Sequence, residues 1–82
     1  MDSPPDRLTR TQRAVLDIER RWWRGAGAKQ RAIKDELDVS VTRYYQLLSE
    51  LLDNPDALAV EPTLINRLRR ARDARRRART AH

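Results

Sequence analysis

Apolar residues recur along the chain with the period of a helix, and the pattern breaks at identifiable punctuation. Leu8, Val15, Ile18 and Trp22 lie on one stripe, widened by Leu16 and Trp23, which predicts a first helix capped by Thr9 or Thr11 and running to about Arg24. Gly25-Ala26-Gly27 is expected to end it, because glycine tolerates the left-handed conformation that closes a helix. A second helix is expected from about Ala28 to Leu37, with Ile33 and Leu37 one turn apart on its inner side. Ser40 is a good N-cap for a third helix from Val41 to about Leu52, on which Val41, Tyr44, Leu48 and Leu51 face inward, flanked by Tyr45, Leu47 and Leu52. Pro55 biases Asn54 away from helical geometry and stops that helix, a single turn follows from Pro55 to Leu58, and Pro62 opens a last helix. The pattern predicts an all-α fold, a small helical domain with an arginine-rich C-terminal helix. Residues 1–7 are expected to be disordered, 8–71 to form the domain, and 72–82 a basic extension.

The centre of the chain has the order a helix-turn-helix requires. Ile33 and Leu37 lie on the first helix, Asp38-Val39-Ser40 forms a corner with Val39 as its apolar plug, and the second helix starts with its first turns free to enter a groove. Two positions depart from the pattern. Lys34 stands where a small residue usually lets the helices approach, and Asp38 where glycine would relax the turn. With its apolar stripe buried, the third helix presents Thr42, Arg43, Gln46 and Ser49, with Tyr45 at the border. Arginine bonds guanine and glutamine bonds adenine at the major-groove edge, while threonine reaches a thymine methyl or a phosphate. The plainer alternative is a solvated outer face. Lys29, Gln30 and Arg31 are either phosphate contacts or ordinary surface residues.

Charge sharpens this picture through its distribution. Residues 1–61 hold ten Lys or Arg against eleven Asp or Glu, whereas residues 62–82 hold eight arginines against Asp73 alone. A GC-rich genome would explain sixteen arginines against two lysines, but not their segregation to one end. Leu64, Ile65, Leu68 and Ala71 form a docking stripe on the last helix. Arg67, Arg69, Arg70, Arg72, Arg75, Arg76, Arg77 and Arg79 surround it, so its last turns are expected to project and to fray unless they meet phosphates. A near-neutral body with a strongly basic end suits a polyanionic partner, with double-stranded DNA first and a merely solubilising tail as the bland reading. The same arginines can enter a narrow, AT-rich minor groove.

Candidate chemistry narrows the field further. The chain has 82 residues and no cysteine, which removes disulfide and thiolate chemistry, and with His82 as its sole histidine a histidine-based catalytic or metal site is not expected. A core of this size rarely supplies more than ~3–5 kcal/mol, which leaves room for a homodimer or a stabilising ligand. Asp35, Glu36 and Asp38 are spread around a helix end with no metal loop after them and read as surface charge. Trp22, on the stripe of Val15 and Ile18, reads as a core anchor rather than a platform for unpaired bases. Glu19 falls inside the apolar arc and is expected to pair with an arginine of another helix. No pair of groups suggests catalysis, so an enzyme is not expected, and no cofactor. The acidic, proline-rich start is unlike a signal peptide and no apolar run reaches the ~18–20 residues of a membrane span, which points to the cytoplasm and excludes the membrane as partner.

Four segments carry a family resemblance: I-E-R-R-W-W-R-G-A-G-A-K (18–29), T-R-Y-Y-Q-L-L (42–48), L-L-D-N-P-D-A-L (51–58) and P-T-L-I-N-R-L-R-R-A-R (62–72). From Val15 to Arg79 the chain resembles a family of small actinobacterial proteins that carry a domain of unknown function. That resemblance implies a compact helical protein with a helix-turn-helix-like centre, some members being considered DNA-binding proteins of the nucleoid. It carries over no site residues. The expectation from sequence is therefore a DNA-binding protein, nucleoid-associated or a transcriptional regulator, with Thr42, Arg43, Tyr45 and Gln46 toward the major groove and the C-terminal arginines on phosphates. The rival is a protein-interaction module whose arginine helix docks on an acidic surface, for example of the transcription machinery.

Overall fold

The computed structural model describes residues 7–80, so most of the disorder expected for residues 1–7, and the last two residues of the basic extension, lie outside the described residues. Five helices follow in order: α1 (Arg10–Arg20), α2 (Ala26–Ala32) running on into a π-helical turn (Ile33–Leu37), α3 (Val41–Leu52), α4 (Pro55–Val60) and α5 (Pro62–Thr80). The all-α fold is as the periodicity predicts. α1 packs on α3 and on the π turn, while α4 and α5 close over the other end of α3. α3 is therefore the central element.

α1, α3 and α4 begin where a side chain satisfies one of the first free N–H groups. Thr9 and Gln12 form a reciprocal capping box, each side chain accepting from the other's backbone N–H at 3.0 and 2.8 Å. Ser40 accepts from Arg43 N–H at 3.0 Å, and Asn54 from Asp56 N–H at 2.8 Å. The core beneath them joins Val15, Leu16 and Ile18 of α1, Ile33, Tyr44, Leu48, Leu51 and Leu52, Ala57, and Leu64 and Ile65. Burying an isoleucine or leucine fully stabilises the fold by about 1.5–3 kcal/mol. Val41, Leu47, Leu68 and the corner plug Val39 are half-buried around that centre.

The first helix ends earlier than its periodicity predicts. The chain turns extended at Arg21, and the Trp23 indole N–H donates to the Ile18 carbonyl at 2.9 Å. In a continuing helix that carbonyl would accept from the N–H of Trp22. Capping by Trp23 instead releases the chain, so Trp22 swings out and is 81% exposed. Of the two tryptophans it is Trp23 that packs against the core, with the Arg21 guanidinium 5.0 Å from its ring centroid. Gly25-Ala26-Gly27 does not close α1. Gly25 instead precedes α2 at φ +156°, a conformation that side-chain-bearing residues rarely adopt.

Glu19 pairs with a lysine, not an arginine. Its carboxylate, 7% exposed, takes Lys29 Nζ at 2.8 Å and the Tyr44 hydroxyl, which joins α1, α2 and α3 through one buried group. No arginine of another helix takes that place, and the nearby Arg21 reaches Glu36 at 2.5 Å and Asp17 at 3.1 Å. Ala71, expected on the docking stripe of α5, is exposed. Its neighbours Arg69 and Arg72 turn to the body in its place. α5 forms one helix to Thr80, and Ala74, Ala78 and the arginines between them all favour that conformation.

Candidate nucleic-acid interface

The corner before α3 fixes how that helix is presented. Asp38 adopts the left-handed conformation at φ 54°, where glycine would be unstrained, and Lys34 holds its carboxylate at 3.0 Å. Lys34 itself is largely exposed, and the widened π turn lets Ile33 sink fully into the core while Lys34 points away. Two turns on, Tyr44 fixes the rotation of α3 about its axis. Its ring is fully buried and its hydroxyl donates to Glu19, while the Val15 carbonyl lies 3.5 Å away. Burial, reinforced by that carboxylate, raises the Tyr44 pKa well above its ordinary value of 10.0. For Lys29, burial works toward a lower pKa, but the bond and charge of Glu19 outweigh it and the pKa is raised.

With Tyr44 locked inward, Thr42, Arg43 and Gln46 stand in solvent, as the periodicity predicts. Arg43 Nη1 donates to Gln46 Oε1 at 3.4 Å, which holds these two side chains side by side. Tyr45 is 47% exposed. Its ring stands edge-on to Tyr44, with centroids 5.1 Å apart and planes at 89°, and Lys29 Nζ lies 5.4 Å from its centroid. Lys29 is thus half-buried within the core of the arrangement, whereas Gln30 and Arg31 are exposed.

The eight arginines of α5 divide into three groups. Arg69 Nε donates to the Leu52 carbonyl at 2.5 Å, and Arg72 Nη1 reaches the Asp53 carboxylate at 3.4 and 3.5 Å. Both therefore cap the end of α3 and fasten α5 to it. Arg67 and Arg70 are exposed on the proximal half of the helix. Arg75, Arg76, Arg77 and Arg79 are exposed on the distal half, where no carboxylate follows Asp73 in the sequence.

α3 and α5 meet along a cleft that brings the two predicted parts of the site together. A cavity of about 280 Å³ is lined by Tyr45, Leu48, Ser49 and Leu52 of α3 and by Arg72 and Arg75 of α5. A second, of about 260 Å³, is lined by Ser49, Arg72, Arg75, Arg76 and Arg79. Ser49, which the periodicity places on the outer face with Gln46, continues that face into this cleft. Arg67, Arg69, Arg70 and Arg77 line neither cavity, and Thr42, Arg43 and Gln46 stand outside both. Among the described residues no helix is long and apolar enough to cross a membrane.

Residues 7–80 match the family model of DUF3263, described as a protein of unknown function, and the chain belongs to that family. No curated protein and no solved structure matches it.

Proposed function

We propose that this member of DUF3263 is a small DNA-binding protein, nucleoid-associated or a local transcriptional regulator. The observation that carries the reading is the continuity of one exposed surface: the polar face of α3 runs through Ser49 into the arginines of distal α5. In this reading the π turn, the corner at Asp38–Ser40 and α3 act as a helix-turn-helix. Thr42, Arg43, Tyr45 and Gln46 meet the edges of the major groove. Arg75, Arg76, Arg77 and Arg79, with Arg67 and Arg70, meet backbone phosphates and supply most of the affinity. Arg69 and Arg72 serve mainly by holding α5 against α3. No catalytic step and no cofactor enters this reading.

The test is fluorescence anisotropy with an AT-rich and a GC-rich duplex, each titrated at several salt concentrations. Steep salt dependence with similar affinities marks an architectural, phosphate-driven binder, and a preference that survives moderate salt marks groove readout by α3. Truncation after Asp73 keeps Arg72 on Asp53 and removes four arginines. Each phosphate contact contributes a slope of about −0.9 in log affinity against log salt, so the truncation flattens the slope by about 3–4. Absence of binding at low salt would overturn the reading outright.

A further inference from the structure

The α3–α5 cleft has two chemically different ends. One cavity is floored by Leu48 and Leu52, 8% and 5% exposed, and edged by the Tyr45 ring. The adjoining cavity offers only the Ser49 hydroxyl and the guanidinium groups of Arg72, Arg75, Arg76 and Arg79. The two share Ser49, Arg72 and Arg75, and among the described residues no carboxylate lines either one, Asp53 and Asp73 lying on Arg72 outside the lining. This follows from two helical stripes facing each other: Tyr45, Leu48, Ser49 and Leu52 on α3, and Arg72, Arg75, Arg76 and Arg79 on α5. Each cavity lies near the lower end, ~300 Å³, of small-molecule sites, and together they form an elongated slot.

We propose that this cleft binds a nucleotide, with its base against Tyr45, Leu48 and Leu52 and its phosphates among Ser49, Arg75, Arg76 and Arg79. A ligand that fills both ends needs a flat, weakly polar half joined directly to a compact multiple anion. Three guanidinium groups, of Arg75, Arg76 and Arg79, around one volume of about 260 Å³ match a phosphate chain better than they match an acidic peptide, whose carboxylates are separated by at least a residue. Tyr45 is already held for stacking by Tyr44 and Lys29, so binding sacrifices little of its freedom. The base belongs either to a free nucleoside polyphosphate or to a nucleic-acid strand. The proposal does not depend on duplex binding, but it shares arginines with it, so a free nucleotide displaces duplex DNA.

Calorimetric titration of the full chain with ADP, adenosine and pyrophosphate at low salt tests it. ADP is expected to bind about tenfold or more tighter than pyrophosphate, an advantage that stacking on Tyr45 provides. Tyr45→Ala then erases the advantage while leaving pyrophosphate binding unchanged. Arg75→Gln with Arg79→Gln, both at exposed positions, weakens ADP and pyrophosphate together. A short single-stranded oligonucleotide that binds with the same Tyr45 dependence, where ADP does not, assigns the base to a strand and sustains the site. Equal binding of ADP and pyrophosphate, indifferent to Tyr45→Ala, reduces the cleft to a polyanion patch and overturns the proposal. So does tighter, Tyr45-dependent binding of a peptide of alternating leucine and glutamate. Anisotropy with duplex DNA on the same samples separates this failure from failure of the DNA-binding reading.

Discussion

Arg21 and Arg75 are both exposed arginines, and they stand in opposite electrostatic settings. Around α1 the cations are matched: Arg21 by Asp17 and Glu36, Arg20 by Asp17 and Glu61, and Lys29 by Glu19. Along α5 the last acid is Asp73, and Arg75, Arg76, Arg77 and Arg79 crowd the five positions that follow Ala74. The two regions use the same residue type for different ends. In the body, paired charges fix how α1, α2 and α3 sit against one another. At the end of α5, clustered charge sets up a positive field that reaches into solvent. The dividing line falls at Arg72, half packed against the body and reaching Asp53.

The body should prove sensitive at the one place where its charges are buried. Glu19→Ala strands Lys29 and the Tyr44 hydroxyl together, and urea unfolding should show a loss of about 2–3 kcal/mol. Glu19→Ala with Lys29→Met should lose less than the sum of the single changes, since no buried charge is left alone. An unchanged unfolding midpoint for Glu19→Ala would mean that the trio contributes nothing to the fold. The same trio sets a pH dependence. Tyr44 and Lys29 both have folded pKa values raised above their ordinary 10.0 and 10.5. The unfolded chain therefore releases these protons first, and the stability they lend is complete below pH ~10 and falls as pH rises beyond it. Tyr44→Phe should make that decline shallower, which a series of urea midpoints from pH 8 upward would measure.

The boundary itself gives a smaller effect. Arg72→Ala removes a stem packed against α3 and should cost about 1 kcal/mol, whereas Arg76→Ala, in solvent, should stay within about 0.5 kcal/mol. Arg72 Nε is buried with no hydrogen-bond partner. Arg72→Met keeps the stem and removes that unsatisfied donor, so it should melt close to the wild-type temperature. If Arg72→Ala and Arg76→Ala proved alike in stability, the division of α5 into an anchoring and a projecting half would fail.

What the sequence disclosed, and what it hid, follows the same division between local and tertiary causes. Ser40, the helical period from Val41 and the Asn54-Pro55 stop are local signals, and α3 spans Val41–Leu52 as they predict. The exposed set of Thr42, Arg43 and Gln46 was legible for the same reason, since the period decides which face is left over. The choice between Trp22 and Trp23 was not legible, because it turns on which donor captures the Ile18 carbonyl. The partner of Glu19 and the anchoring of Arg69 and Arg72 depend on how helices cross, and periodicity carries no information about crossing. The cleft was hidden on the same ground. Tyr45 and Arg75 are thirty residues apart in the chain and line one cavity because Leu64, Ile65 and Leu68 pack α5 on the core while Arg69 and Arg72 fasten it to the end of α3.

The finest test concerns the corner that both regions depend on. Asp38 departs from the glycine that the turn favours, and it does adopt the left-handed conformation there. A left-handed conformation costs a side-chain-bearing residue roughly 1 kcal/mol, less for aspartate than for most. Against that stands the ion pair with Lys34, whose side chains are 70% and 86% exposed and whose contribution is correspondingly small, about 0.3 kcal/mol. Glycine also loses more conformational entropy on folding, which trims its advantage. The balance favours Asp38→Gly by about 0.5 kcal/mol, a rise of ~2–4 °C in melting temperature for a domain of this size. Because the substitution also removes a negative charge beside α3, it should raise affinity for duplex DNA at low salt and leave affinity at high salt unchanged. A higher melting temperature with unaltered low-salt binding would show that the corner shapes the fold without touching the field around α3.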